Sequence, residues 1–154
     1  MPLSLKIEVL GEVQVQRTFL RMSESAHNLT PLWAHLLRRF QAIELLQFSS
    51  EGGHGSGGWA ELAESTVRTK ESKGLRPEIE RATDSLMNSL TGSGSGSITE
   101  MANEWLRYGT AIPYAKFQQT GTVNMPQRRL IQLTETEKRD IARIVQRYVV
   151  TGKL

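Results

Sequence analysis

Residues 48–73 read Phe48-Ser-Ser-Glu51-Gly52-Gly53-His54-Gly55-Ser-Gly57-Gly58-Trp59-Ala-Glu-Leu62-Ala63-Glu-Ser-Thr66-Val67-Arg-Thr-Lys70-Glu-Ser-Lys73. Five of the seven residues from Gly52 to Gly58 are glycine. Ordering such a tract costs much backbone entropy, and glycine brings no side chain to offset it, so the sequence predicts a mobile loop over 49–58. Beyond it, Trp59, Leu62, Ala63 and Val67 recur at helical spacing and predict a short helix over 59–71, ended by Gly74 and Pro77. Gly53-x-Gly55-x-x-Gly58 matches the spacing of a dinucleotide fingerprint. That mechanism needs a strand entering the loop and a helix leaving it, so that pyrophosphate meets free N–H groups. Here a helix enters, and the loop lacks the Lys-Ser or Lys-Thr ending of a phosphate-binding loop.

Upstream, Thr30 reads as an N-cap with Pro31 at the first helical position, and Leu32, Trp33, Leu36, Leu37, Phe40 and Ile43 repeat at helical spacing. This is the expected main core helix. Residues 12–26 read as a short helix beside the core, and Leu3, Leu5, Ile7 and Val9 alternate with polar residues ahead of Gly11, the period of a half-buried strand. Downstream, the short apolar segment 85–90 precedes a second flexible tract, 91–97, which reads as the tip of a long hairpin whose strands return through 97–103 and 104–109. Pro113 opens a turn into a helix over 114–120, and 130–133 reads as a last strand. Residues 135–150 close the chain as a helix started by a Thr134–Glu137 capping box, with Ile141, Ile144, Val145, Tyr148 and Val149 on its apolar face.

A chain of 154 residues is one domain's worth, and 38% hydrophobic with 23% charged residues is ordinary for a protein that folds in water. No apolar run approaches the roughly 20 residues of a spanning helix, and the first residues lack a signal-peptide pattern, so no membrane partner is expected. With no cysteine, disulfides and thiolate chemistry are excluded and cytosolic folding is the fitting expectation. The formal charge of +3 is a small excess of 19 basic over 16 acidic residues. Arg38, Arg39, Arg129, Arg143 and Arg147 are the candidates to face DNA, although charged, solvated helix faces explain the same positions.

Nothing in the sequence reads as a reaction centre. His27, His35 and His54 have no metal-ligand spacing, no serine stands in a nucleophile-elbow pattern, and pairs such as Glu61 with Glu64 or Glu100 with Glu104 are explained as solvated charge. No catalytic, cofactor-binding or metal-ligating residue is nominated, and no cofactor is expected. By spacing, Trp33, Trp59, Trp105, Phe40, Phe117, Tyr108 and Tyr114 are core candidates. Trp59, at the exit of a glycine tract, has a second reading as an interface anchor.

Phe48, Glu51, Gly52, Trp59, Leu62, Thr66 and Lys70 fall in the pattern F..EG...G..W..L...T...K, with Gly58 two residues past its second glycine position, and Tyr114, Ala115, Phe117, Gln119 and Gly121 in the pattern YA..HQ.G, with Gln118 at the histidine position. Between them Leu86, Ser89, Leu90 and Thr91 match part of TG.L..SL, and Pro126-x-Arg128 matches a P.R motif. In this order the motifs resemble those of the phage virion morphogenesis family, the tail-completion proteins of long-tailed, Mu-like bacteriophages and prophages. The resemblance covers roughly residues 28–150. Gln118 in place of histidine argues for a structural rather than a chemical role at that position.

The resemblance implies an α+β fold, a twisted antiparallel sheet packed by a long core helix and a C-terminal helix, with glycine-rich loops. It implies a non-enzymatic virion protein that completes the tail and enables head–tail joining. Such a protein is a homo-oligomer, expected as a hexameric ring at the neck or tail end, with tail-tube, terminator or neck proteins as partners and DNA passing through the ring. It would assemble in the host cytoplasm and end in the virion. The assembly candidates are Phe48, Glu51, Gly52, Gly58, Trp59, Lys70, Tyr114, Gln118, Gly121 and Arg128, with the two glycine-rich tracts at subunit or tube contacts. The alternative is a basic nucleic-acid-binding accessory protein; a small hydrolase ranks last.

Overall fold

The computed structural model describes residues 12–154, so the alternation at 3–9 lies outside the described residues. Helix α1 spans Glu12–His27 and α2 spans Thr30–Ser49. The start of α2 differs from the expected cap. Leu29 holds the N-cap position without a side-chain cap, Thr30 is already helical, and the Thr30 N–H donates to Asn28 Oδ1 at 3.2 Å. The Thr30 hydroxyl is engaged elsewhere, on Asn103 Oδ1 at 3.4 Å, while the Leu29 N–H donates to the Asn103 carbonyl at 2.9 Å. A tertiary tie has displaced the local cap.

α2 is the spine because its two halves bury different surfaces. Leu32 and Leu36 pack with Tyr148 and, around them, Ile141, Ile144 and Val145. Those partners lie on α7, Glu135–Thr151, whose start is the expected capping box: Glu137 N–H donates to Thr134 Oγ1 at 3.2 Å, and Thr134 N–H to Glu137 Oε2 at 2.8 Å. Phe48, at the other end of α2, joins Trp59, Ile79, Leu86, Leu90, Ala115 and Leu130 in a second cluster. α1 packs against α7.

After α2 the chain makes one helical turn, α3, Gly53–Ser56, bounded by the left-handed residues Gly52 and Gly57. The predicted helix over 59–71 begins later, as α4, Glu64–Ser72. Trp59 and Leu62 precede it, Val67 is exposed, and the residue that α4 buries is Lys70. Spacing alone had joined an extended apolar lead-in to an exposed helix.

Short helix α5, Ser85–Leu90, is followed by β1, Ser97–Met101, and β2, Leu106–Thr110. The strands pair antiparallel from Ser97↔Thr110 to Met101↔Leu106, and the Ala102 N–H to Trp105 carbonyl bond, 2.9 Å, closes the turn. The tip is therefore 102–105. The glycine-serine tract instead joins α5 to β1 and is drawn onto α5, where the Asn88 carbonyl accepts from Ser93 and Gly94 N–H, each at 3.0 Å. Helix α6, Ala115–Thr120, ends at Gly121, φ +73°, where a Cβ would lie 2.9 Å from Gln127 N.

Residues 130–133 are not a strand. Their backbone is satisfied by a side chain rather than a ladder: Gln119 Oε1 accepts from Leu130 N–H at 2.8 Å and Ile131 N–H at 3.0 Å, and Gln119 Nε2 donates to the Ile131 carbonyl at 3.1 Å. Among the described residues the fold is thus α+β in the coarse sense, helices with one two-stranded antiparallel sheet.

Gly52, at φ +83°, lies under the Trp59 ring, where a Cβ would fall 2.4 Å from Trp59 Cδ1; Gly74, at φ +61°, has nothing within 4 Å. Gly74→Ala should cost about 1 kcal/mol, the left-handed penalty alone. Gly52→Ala adds displacement of a buried ring and should exceed about 3 kcal/mol in urea unfolding. Equal costs would mean that the ring does not sit there.

Candidate functional site

The motif residues assemble around the end of α2 in two layers. In the inner layer, Phe48 meets the Trp59 ring edge-on, centroids 5.4 Å apart. The Trp59 indole N–H donates to the Arg129 carbonyl at 3.0 Å, and Trp59 N–H to the Glu51 carbonyl at 2.7 Å. Glu51, itself left-handed at φ +46°, accepts from Ile79 N–H through Oε1 at 2.7 Å. Gly58 N–H closes onto the Gly52 carbonyl at 3.1 Å.

The glycine tract, predicted to lack partners of its own, receives them from neighbouring side chains. Gly55 N–H donates to Gln47 Oε1 at 3.0 Å, Gln132 Nε2 donates to the Gly55 carbonyl, and His54 N–H donates to Ser50 Oγ at 2.9 Å. His54 Nε2 meets Glu137 Oε1 at 2.8 Å, tying the tract to the first turn of α7. Gln47, fully buried on the apolar stripe of α2, also donates to the Arg129 carbonyl at 2.9 Å.

The outer layer is a cleft of about 670 Å³ whose lining includes Lys70, Glu80, Tyr114, Gln118, Met125 and Arg128. Arg128 is 5% exposed and acts as a cross-link. Its Nε donates to the Ala60 carbonyl at 3.0 Å and its Nη2 to the Glu61 carbonyl at 3.1 Å, while Nη1 lies 3.4 Å from Glu80 Oε1. Lys70 Nζ donates to the Glu78 carbonyl at 2.6 Å. Burial raises the Glu80 carboxyl pKa, outweighing the Arg128 and Lys70 charges that act to lower it. The planar fork of Arg128 thus fixes the extended 60–61 segment, a task a point charge does not perform.

Four nominated residues, Lys70, Tyr114, Gln118 and Arg128, therefore face one cleft, with Phe48, Glu51, Gly52, Gly58 and Trp59 in the layer behind. Gly121 stands apart as the turn after α6. Gln118 has its side-chain oxygen buried without a partner, whereas its carbonyl accepts from Arg128 N–H at 2.8 Å. Arg39 and Arg143 share Asp140, at 3.3 and 3.5 Å, and Arg38, Arg129 and Arg147 form no ion pair among the described residues. Among these residues no group of three or more His, Asp or Glu side chains is placed to hold a metal, and no helix is long and apolar enough to cross a membrane.

Sequence reading missed Gln47, Glu80 and Glu44, and gave Gln119 only as a motif position. Gln47 carries a usable signal, a polar residue between Ile43 and Phe48 on an apolar stripe. Glu44 is buried on α2 with one carboxyl oxygen unpartnered. Burial, reinforced by the Glu137 charge, pushes its pKa up to about 8. Burial also acts to raise Glu137, but the Thr134 N–H and hydroxyl and His54 outweigh it and leave that pKa lowered. Known protein families, curated proteins and solved structures yield no match to this chain.

Two outcomes follow from these contacts. Arg128→Met should cost about 3–5 kcal/mol, and Arg128→Lys should recover little of it, because lysine keeps the charge without the fork; wild-type stability for Arg128→Lys would reduce the role to charge. For Glu44 the folded pKa lies above the unfolded value, so the native state holds the extra proton. Its stabilising contribution is full below about pH 4.5 and is lost as pH rises towards 8, with a slope approaching about 1.4 kcal/mol per pH unit. Glu44→Gln should flatten that fall in denaturation curves collected from pH 4.5 to 9.

Proposed function

We propose that this chain is a structural virion protein of the tail-completion type, acting in head–tail joining as a ring of identical copies at the neck or tail end of a bacteriophage. The observation that carries the reading is the convergence of its separated motifs. Phe48, Glu51, Gly52, Trp59 and Lys70, from the 48–70 stretch, and Arg128, from far along the chain, make one cross-linked unit around the end of α2. Motif residues bound to one another in this way support a scaffold. In this reading α2 is the long core helix and the glycine-rich tracts lie at contacts between copies or with the tail tube. DNA passes through the ring.

In the nucleic-acid-binding alternative the same arginines would face phosphates, and two of them, Arg39 and Arg143, are opposed by Asp140. Deleting the gene from its phage or prophage and counting particles by electron microscopy tests the proposal. DNA-filled heads beside unjoined or abnormal tails are expected, and normal infectious particles would reject it.

A further inference from the structure

The hairpin has an unused edge. Ala111 N–H donates to the Gly96 carbonyl at 2.7 Å and Ala102 N–H to the Trp105 carbonyl at 2.9 Å, which sets the bonded pairs of the register at Ile98 with Gly109 and Glu100 with Arg107. The backbone N–H and carbonyl groups of Leu106, Tyr108 and Thr110 therefore point away from β1, and they form no hydrogen bond among the described residues. Beside them is a groove of about 320 Å³, lined by Tyr108, Gly109 and Thr110 together with Leu90, Ala115 and Ile131. A Cβ at Gly109 would meet nothing within 4 Å, which leaves room over the strand. An apolar wall beside unpaired strand backbone fits an extended segment with apolar residues at every second position.

The chain carries such a segment. Leu3, Leu5, Ile7 and Val9 alternate with Ser4, Lys6 and Glu8, and residues 10 and 11 join them to Glu12. α1 carries this segment away from its own hairpin. α7 runs antiparallel to α2: Glu137 lies at the His54 end, while Tyr148 packs on Leu32 at the start of α2 and donates to the Asn28 carbonyl at 3.0 Å. α1 continues past that start beside the end of α7, where a Cβ at Gly152 would lie 3.2 Å from Ser25 Oγ and 3.9 Å from Arg21 Cγ. Every residue from Gln14 to Arg21 is exposed, so this half of the helix stands clear of its own chain. Glu12 is about 14 Å of helix beyond Arg21, whereas Tyr108 stacks on Phe40, about 15 Å along α2 from Thr30 in the opposite direction. The separation is on the order of 30 Å, and the three residue steps from Val9 to Glu12 span at most about 11 Å.

We infer that residues 3–9 of one copy add as a strand to the free edge of β2 in a second copy, with Leu3, Leu5, Ile7 and Val9 towards the groove and Lys6 and Glu8 towards water. Backbone bonds to Leu106, Tyr108 and Thr110 supply affinity, and the groove selects which face turns inward. The added strand makes three of a hairpin that is marginal as two. Because the giving and receiving surfaces differ, each copy passes its strand to the next, and the contact closes as a ring or reciprocates within a dimer. It names how copies meet in the ring proposed above, and rests on that reading only for its biological purpose.

The chain has no cysteine, so introduced pairs report contact directly. Full-length chains carrying Leu5→Cys, Ile7→Cys or Val9→Cys, each combined with Ile131→Cys at the groove, are oxidised and separated under denaturing, non-reducing conditions. At least one pair should give a ladder of linked copies well above that of Ile131→Cys alone. A cross-linked monomer would overturn the inference by placing the segment on its own edge, and no cross-link from any of the three pairs would overturn it outright. Light scattering on a sizing column, from micromolar to hundreds of micromolar, gives the second readout, and the wild type should exceed the 17.3 kDa monomer mass. An added strand turns alternate N–H groups to its neighbour, so of Ser4→Pro, Leu5→Pro, Lys6→Pro and Ile7→Pro either the odd or the even pair should weaken association at least tenfold and the other pair should be tolerated. A monomeric wild type, or equal tolerance of all four prolines, contradicts the strand. Linked copies in a phage whose particles stay normal without the gene would leave the strand exchange standing and remove the tail-completion reading.

Discussion

The contact on which the rest of the motif region depends is the Trp59 ring over Gly52. The ring occupies the space a Cβ at residue 52 would need, and its N–H reaches the Arg129 carbonyl. These two facts lock three segments together. The chain must leave α2 through a left-handed glycine, the 57–59 segment must return over it, and residue 129 must lie alongside. With Arg129 fixed, Arg128 is carried under the 60–61 segment, where its guanidinium finds two carbonyls and Glu80. Burying Trp59 without the glycine would meet a clash, and burying it without the Arg129 carbonyl would strand an indole N–H.

Side-chain amides do work here that a sheet does elsewhere. Gln47, Gln119 and Gln132 satisfy backbone groups of the glycine tract and of residues 129–131, two stretches with no ladder to join. Around this polar frame lie acids that burial pushes towards the neutral form, Glu44 and Glu80. The interior near α2 is therefore specified by directional bonds as much as by apolar volume, which narrows the substitutions it tolerates. Apolar side chains left exposed include Phe19 and Leu20 on α1, Leu45 and Leu46 on α2, and Trp105 at the hairpin turn.

Local signals in the sequence were legible where local physics decides the outcome. The Thr134–Glu137 box starts α7, and the stripe from Leu32 to Ile43 lies in α2, because neither depends on distant residues. The hydrophobic spacing from Trp59 to Val67 misled for the opposite reason. Trp59 and Leu62 are apolar because an extended segment crosses the core, while Val67 is exposed on the helix that follows, and a periodicity count cannot separate the two. Leu130 and Leu133 have strand character but no strand to pair with, since Gln119 takes the bonds. The glycine tract looked unsupported because the groups that support it, Gln47, Ser50, Gln132 and Glu137, come largely from other segments. The motif positions were readable as a set, but the seating of Trp59 on Gly52 and the cross-link of Arg128 to residues 60–61 appear only in three dimensions.

Hydrogen exchange of the three tryptophan indoles, resolved by NMR, tests the central contact most directly. Trp59, buried and bonded to the Arg129 carbonyl, should exchange only through global unfolding, with a protection free energy equal to that from urea denaturation, while half-exposed Trp105 exchanges quickly. A Trp59 indole that exchanges as fast as Trp105 would contradict the account, because the ring could not then be seated on Gly52 and the frame built from it would have no anchor.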